Sequence, residues 1–222
     1  MGRSLVTAGL VAVLLSAGLA WADPPSDRVA AYTIVRNGSV IGSHAVRFQA
    51  VGDRVVVQHR VRIRVDILVF NAYSYDLESR EDWRSDRLVR MTARTNKNGT
   101  PLSVSARLVG AGLRVQATER TGVAPVGAVP ASPSWNVLSR RPDRMIDAET
   151  GEILRVRVSA PRPEGVRLGA RTMPCQRFDV SGGLDATLWY GPSGVLVKKR
   201  LTAPDDSTVV TLMRPSPRGE PP

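Results

Sequence analysis

Residues 54–70 alternate apolar and polar side chains with a period of two, and this alternation constrains the fold more than any other feature. The apolar members are Val55, Val57, Val61, Ile63, Val65 and Ile67. The polar members between them include Arg60, Arg62, Arg64 and Asp66. Successive side chains of a strand point to opposite faces, so a slip of one residue would bury the arginines. The pattern predicts one long strand with an apolar face and a charged face.

The next segment, residues 73–83, predicts an antiparallel partner for this strand. One face carries Tyr73, Tyr75 and Leu77, and the opposite face carries Asp76 and Glu78. In such a pair the two carboxylates lie across from the arginines. Each cross-strand ion pair of this kind contributes about 0.2–1 kcal/mol.

Alternation and turn residues predict strands along most of the remaining chain. The expected strands are 30–36, 40–50, 88–96, 101–109, 112–118, 154–160, 176–180, 184–190, 195–202 and 207–213. Asn37-Gly38 and Asn98-Gly99 are typical of two-residue hairpin turns. Residues 121–132, rich in Pro, Gly and Ala, predict a surface loop. We expect Ser134 to cap a short helix over residues 135–140, which Pro142 ends.

A sheet of about ten or more strands must curl or close, because strand twist and exposed edges disfavour a flat one. The sequence therefore predicts an all-β fold, a large antiparallel meander curled into a barrel or half-barrel around one short helix. We expect a single domain over residues 23–213. The last residues, 214–222, are predicted to be disordered.

The first 22 residues have the pattern of a secretory signal peptide. Arg3 supplies the positive start, residues 5–19 the apolar core, and Ala20-Trp21-Ala22 the small-residue cleavage site. The apolar run is too short for a membrane span, so we expect no transmembrane segment. A periplasmic or secreted protein, cleaved near Ala22, is predicted.

The formal net charge of +11 raises the question of a nucleic-acid partner. The excess is spread along the chain and is mostly arginine, with Lys97, Lys198 and Lys199 as the lysines. An exported protein does not meet the chromosome, so we expect no nucleic-acid partner. Cys175 is the single cysteine, which excludes an intramolecular disulfide and favours a buried structural thiol.

His44 and His59 are the only histidines, which limits the catalytic and metal chemistry available. Two imidazoles without a thiol partner do not make a structural zinc site, so no metal and no cofactor are expected. A histidine on the inner face of a strand is more often a hydrogen-bonded core residue than a catalyst. An enzyme built on His59 or His44, with Tyr75 or Glu78, stays open as a third hypothesis.

Two binding hypotheses come before it. The first is a non-enzymatic protein that binds an apolar or amphipathic ligand, or a cell-envelope component, in a curved β cavity, with the 121–132 loop as a lid. Its candidate contacts are His59, Tyr75, Trp83, Trp135 and Trp189; the alternative for the aromatic side chains is core packing. The second is a structural or interaction module that contacts an anionic partner through Arg60, Arg62 and Arg64.

Several short segments occur in the order found in an exported bacterial family of unknown function. They are YTIVRNG (32–38), IGSH (41–44), YSY (73–75), EDW (81–83), NG (98–99), PSWN (133–136), IDAETG (146–151) and LWYG (188–191) with Gly194. In these segments the chain resembles domain-of-unknown-function family 6134, with Gly191 where the family pattern has an acidic residue. The resemblance implies an all-β exported domain and supplies no catalytic residues.

Overall fold

The computed structural model describes residues 27–67, 70–203 and 205–215. The predicted signal peptide and residues 216–222 of the predicted tail lie outside the described residues. The strands are β1 (Arg28–Arg36), β2 (Ser39–Val51), β3 (Arg54–Ile67), β4 (Phe70–Arg84), β5 (Arg87–Lys97), β6 (Thr100–Val109), β7 (Gly112–Ala117), β8 (Thr121–Pro125), β9 (Val129–Pro130), β10 (Arg144–Ile146), β11 (Ile153–Val158), β12 (Arg162–Leu168), β13 (Arg171–Gly182), β14 (Ala186–Tyr190), β15 (Leu196–Thr202) and β16 (Thr208–Met213). Strands make up 71% of the described residues, which confirms the all-β fold class.

All of these strands belong to one sheet of 16 strands. From β8 back to β1 each strand pairs with its neighbour in sequence, as a meander requires. The first strand then pairs with the last, β1 with β16, and the order continues through β15, β14, β13, β11, β10 and β9, with β12 on β13. The β9–β10 pair is parallel, so the arrangement is more than a simple meander.

The sheet curls into a barrel-like shape without closing. Its two end strands, β8 and β9, do not pair with each other. Instead β8 approaches β10 and β11 through side chains, and a Cβ atom at Gly122 would lie 3.0 Å from Ile153 Cδ1. In the part of the chain that the structure describes, no helix has the length and apolarity to cross a membrane.

The inner face of the curled sheet holds the core. Its largest fully buried side chains include Trp83, Trp135, Tyr32, Tyr190 and Phe48. Trp83 and Trp135 pack edge to face with ring centroids 5.0 Å apart, and Phe178 packs in the same way on Tyr190 at 5.9 Å. The interior is therefore filled with aromatic side chains at this level of the sheet.

Residues 121–132 do not form the predicted loop throughout, because β8 and β9 lie within them. β8 pairs on one side only, with β7, and its Pro125 ends the ladder. An edge strand tolerates proline, since the missing N–H faces away from the ladder. The predicted helix at 135–140 is also shorter than expected, a single 3-10 turn at Leu138–Arg140.

Ser134 does not cap this turn. The residue at the cap position is Val137, which offers no side-chain acceptor, and Asn136 Oδ1 accepts the Ser139 N–H instead at 3.3 Å. The Ser134 hydroxyl points into the core, where it meets His59. The segment before the turn therefore lines the interior of the sheet and does not sit on the surface as a helix start would.

Gly42 is the position where the backbones of two strands come closest. It lies opposite Ile34 on one side and Ile63 on the other, and a Cβ atom there would be 2.2 Å from the Arg62 carbonyl oxygen. We expect Gly42→Ala to lower the free energy of unfolding by about 1–3 kcal/mol, because backbone must move. Urea unfolding measures this, with Gly122→Ala as the control, whose only close contact is the movable end of Ile153. Equal losses in both variants would contradict the prediction.

Candidate functional site

A chain of buried polar side chains crosses the inner face from β2 to β4. His44 Nε2 lies 3.2 Å from His59 Nδ1, and the two rings are stacked with centroids 5.4 Å apart. His59 Nε2 lies 3.2 Å from Glu81 Oε1, and the Ser134 hydroxyl lies 3.3 Å from His59 Nδ1. His44, His59, Glu81 and Ser134 are all buried. The cluster is therefore a polar island in an apolar core.

The contacts of this cluster indicate which ring nitrogens carry protons. Trp83 Nε1–H donates to Glu81 Oε2 at 2.8 Å, so the carboxylate accepts on that side. Its other oxygen faces His59 Nε2, which favours the tautomer of His59 with its proton on Nε2. His59 Nδ1 is then an acceptor for the Ser134 hydroxyl or for His44 Nε2–H. This assignment gives His59 Nδ1 a partner, whereas His59 Nε2 faces Glu81 Oε1 at 3.2 Å without the geometry of a hydrogen bond and is the least well satisfied atom of the cluster.

A serine that contacts a histidine, which in turn contacts a glutamate, is the arrangement of a hydrolytic triad. Here, however, the three side chains are buried in the core. Ser134 has no exposed surface, so no substrate carbonyl reaches its hydroxyl in this structure. The partners are also not those of the enzyme hypothesis, because Glu78 points outward to Arg60, with Nη2–Oε1 at 2.7 Å. The acid beside His59 is Glu81. It has an odd number, like Tyr75, and therefore lies on the same face of β4. Parity along the strand was the signal that could have found it.

Burial sets the protonation of His44. The pKa of His44 lies well below its ordinary 6.5, first because burial disfavours the charged form and then because His59 and Lys199 are nearby. The ring stacks on Tyr32 with centroids 5.1 Å apart, and Tyr32 donates its hydroxyl hydrogen bond to the Leu196 carbonyl at 2.8 Å. His44 is therefore a neutral core residue at neutral pH.

The predicted ligand contacts separate into three places. His59, Trp83 and Trp135 come together in the core. Tyr75 lies half-buried on the same inner face, nearer the end of the sheet. Trp189 is also buried, on the face of β14 opposite Leu188 and Tyr190, with Lys198 Nζ 4.6 Å and the guanidinium of Arg177 5.6 Å from its ring centroid. The structure therefore does not bring these five residues to one site.

The inner face changes from covered to open along β3. Val57 is fully buried and His59 is 8% exposed, whereas Val61, Ile63 and Val65 are each partly exposed. Tyr75 lies directly opposite Ile63, and Tyr73 stacks on Tyr75 with ring centroids 6.5 Å apart. An apolar surface is therefore left open at the end of the sheet beyond the histidines.

Lys199 reaches the inner face at the same level. The register carries one row of inner side chains from Ile63 through Gly42, Ile34 and Thr211 to Lys199. The Lys199 ammonium donates to the Ser132 hydroxyl at 2.5 Å, and burial lowers its pKa to about 8. Among the described residues it has no ion-pair partner. Sequence reasoning missed this residue, because its position depends on the pairing of β1 with β16.

The predicted arginine row is on the outer face, as the alternation requires. Arg60 pairs with Glu78, and Asp76 lies 2.5 Å from Arg64 Nη2 and 3.9 Å from Arg62 Nε. The cross-strand ion pairs expected from the sequence are therefore present. Carboxylates partly neutralise this row, which leaves it less available to an anionic partner than the sequence indicated.

The remaining candidates for metal or thiol chemistry are simple to place. Within the described ranges, no group of three or more His, Cys, Asp or Glu side chains is arranged to hold a metal ion. Cys175 is a buried free cysteine inside β13. Burial raises the pKa of its thiol to about 11, so the sulfur stays protonated and unreactive at neutral pH.

The fold defines a class of open, barrel-like all-β proteins with a polar cluster in an aromatic core. The chain matches the family described as a domain of unknown function, DUF6134, over residues 32–214, and it belongs to that family. This confirms the resemblance seen in the sequence. No curated protein is similar enough to count as a relative.

Two solved structures are similar to this chain. A beta-barrel-like protein of domain of unknown function DUF1849 from Brucella abortus matches with a TM-score of 0.58 and 11% identity, over 83% of this chain and 94% of that one. A DUF1089 family protein from Pseudomonas aeruginosa matches with a TM-score of 0.40 and 16% identity, over 88% of this chain and 95% of that one. The first of these supports the barrel-like fold and nothing further.

The low pKa of His44 makes folding stability depend on pH. Below about pH 6.5 the unfolded chain binds a proton at this residue while the folded protein does not, so stability falls as the pH falls. We expect His44→Gln to reduce the slope of unfolding free energy between about pH 7 and pH 5 by up to about 1.4 kcal/mol per pH unit. Urea unfolding across that range measures it.

Ser43→Ala provides the control for this experiment, because Ser43 is the neighbour of His44 on β2 and carries no titratable group. The control should keep the wild-type slope. A His44→Gln variant with an unchanged slope would show that His44 is not held neutral by the fold.

Proposed function

We propose that this protein is a non-enzymatic binding protein for an amphipathic ligand that has an apolar tail and an anionic head. The observation that carries the proposal is the open apolar surface on the inner face beside a cation without an ion-pair partner among the described residues. The ligand lies against Ile63 and Tyr75 and extends its head toward Lys199. The protein acts in the periplasm after removal of residues 1–22, as the N-terminal sequence pattern indicates.

The apolar part of the proposal rests on incomplete burial. A strand face that carries Val61, Ile63 and Val65 in one row normally packs against a second layer. Each Å² of apolar surface removed from water stabilises the folded state by about 25 cal/mol. Here the same row is covered at Val57 and partly exposed at Val61, Ile63 and Val65. Apolar surface next to a few polar groups is typical of small-molecule sites. A ligand tail would complete the core at this end.

The polar part rests on the burial of a charge. Burial of the Lys199 ammonium lowers its pKa to about 8, and the nearby Asp147 carboxylate offsets only part of this effect. A carboxylate or phosphate head would restore the charged form and satisfy the remaining donors. The Ser132 hydroxyl, already bonded to Lys199, is a second polar group for the same head.

The packed Trp83 and Trp135 side chains limit how far into the core the ligand can extend. Trp83 and Trp135 pack against each other with no exposed surface between them and leave no space for a tail. The ligand therefore lies above the His59 level, and Tyr75 is its direct contact among the five residues first considered. His59 forms part of the floor.

We expect Lys199→Met to weaken binding of a fluorescent long-chain fatty acid about tenfold, since one charge-assisted hydrogen bond is lost. The same change should raise the melting temperature of the ligand-free protein, because it removes a desolvated charge. Lys198→Met is the matched control, since Lys198 is the neighbouring residue and lies on the outer face over Trp189. Fluorescence titration and thermal unfolding of the full chain measure the two effects.

Binding should also weaken as the pH rises from about 8 toward 10, as the ammonium loses its proton. Failure of the wild-type protein to bind the fatty acid, or equal affinity for it in Lys199→Met and Lys198→Met, would refute the proposed site. Native mass spectrometry of the protein purified from its host gives a second test, in which a co-purified amphipathic molecule is expected.

A further inference from the structure

The outer face carries a second arrangement of charge, on strands that take no part in the proposed inner site. Arg90 on β5 lies directly opposite Arg107 on β6, and Arg107 lies directly opposite Arg114 on β7. All three side chains are exposed. We call these three residues the arginine ladder.

The fold offsets the charge of the arginine ladder at one end only, where Arg90 lies directly opposite Asp82 on β4. Like charges directly opposite each other on neighbouring strands destabilise a sheet. Among the described residues none of the three has an ion-pair partner, in contrast to Arg60 and Arg64 on β3. A repeated unfavourable contact of this kind is expected where an anion supplies the missing charge.

The surface around the ladder is concave. The three arginines line a cavity of about 340 Å³ together with Ser105 and Gln116. Arg90, Ser105 and Gln116 also line a neighbouring groove of about 980 Å³, which runs back across β4 and β3 to Arg47 on β2. Arg47 and Arg94 add two more arginines without an ion-pair partner in the described part of the chain. From β2 to β7 the groove crosses about 24 Å, at about 4.8 Å per strand.

We propose that this groove binds a linear anionic oligosaccharide, with the arginine ladder as its main charged contact. Guanidinium groups bind sulfate, phosphate and carboxylate in two-pronged geometry. Between the arginines the groove carries one carboxylate, Glu78, which is neutralised by Arg60. It also carries hydroxyl and amide groups that match sugar hydroxyls, from Thr92, Ser103, Ser105, Gln58 and Gln116. Its length suits several linked sugars better than one isolated anion.

The lining of the groove separates this ligand from two other polyanions. Among the described residues that line it there is no Phe, Tyr or Trp, and the His59 ring faces the core, so bases of a single-stranded nucleic acid have no platform to stack on. Its apolar lining residues are alanines and valines, whose short side chains form no deep slot for an acyl chain. A glycan needs neither, because its contacts are charge and hydrogen bonds.

The experiment measures binding of heparin fragments of defined length to the full chain by isothermal titration calorimetry at several salt concentrations. Heparin serves as a sulfated linear probe. The test variant is Arg90→Gln with Arg107→Gln and Arg114→Gln. The matched control is Arg155→Gln with Arg157→Gln and Arg171→Gln, which removes the same charge from exposed positions on β11 and β13, away from the groove.

We expect the ladder variant to lose at least about tenfold in affinity and to show a shallower salt dependence, since about three counter-charges are lost. The control variant should bind within about twofold of the wild type. Equal losses in the two variants would overturn the proposal, because binding would then reflect net charge alone. No heparin binding by the wild type, or equal or tighter binding of a poly-dT oligonucleotide of matched charge, would overturn it as well.

Thermal unfolding supplies a readout that a purely structural ladder would not give. Arg107→Gln relieves repulsion on both sides, so its melting temperature should rise while its heparin affinity falls. A lower melting temperature would show that Arg107 supports the sheet and would refute its assignment to a ligand. This result is independent of the fatty-acid test, which concerns the opposite face.

Discussion

The register between β3 and β4 is the constraint on which the rest of the structure depends. It sets His59 opposite Ser79 and Arg60 opposite Glu78. The polar cluster around His59 therefore lies on the inner face, and the ion pairs of the arginines lie on the outer face. A shift of one residue would expose His59 and bury Arg60, along with every other residue of the same files. Because neighbouring strands continue these rows, the inner polar cluster, the open apolar surface and the outer arginines all take their positions from this one pairing.

Much of this arrangement could be read from the sequence, because alternation is a local signal. The faces of residues 54–83 and the ion pairs of Arg60 and Arg64 follow from it directly. Positions that depend on distant pairing could not be read in this way. Ser134 meets His59 across 75 residues, and Lys199 joins the row of Ile63 only because the first and last strands pair. β8 and β9 were missed because proline and glycine mark loops, and an edge strand accepts both.

The core explains why a polar cluster can persist inside an aromatic interior. Each buried polar group of the cluster meets another: Glu81 takes the Trp83 N–H, and His59 contacts both Ser134 and His44. Removal of one partner would leave the others unpaired in a medium of low dielectric, which costs more than the net gain of any single bond.

Lys199 and the arginine ladder lack ion-pair partners among the described residues, carry the same sign of charge and lie on opposite faces of the sheet. Lys199 on the inside and the arginine ladder on the outside each make the folded state less stable than neutral side chains would. A sheet of this size has many positions that would accept neutral residues, so unfavourable charge at these two places points to binding and not to folding. The neighbouring groups differ between the two places. Lys199 lies beside partly exposed apolar side chains, while the arginine ladder lies beside hydroxyl and amide groups. Under the two proposals, the inner surroundings would suit an anion with an apolar tail and the outer ones an extended, hydrated anion, and a sheet one layer thick separates the two places.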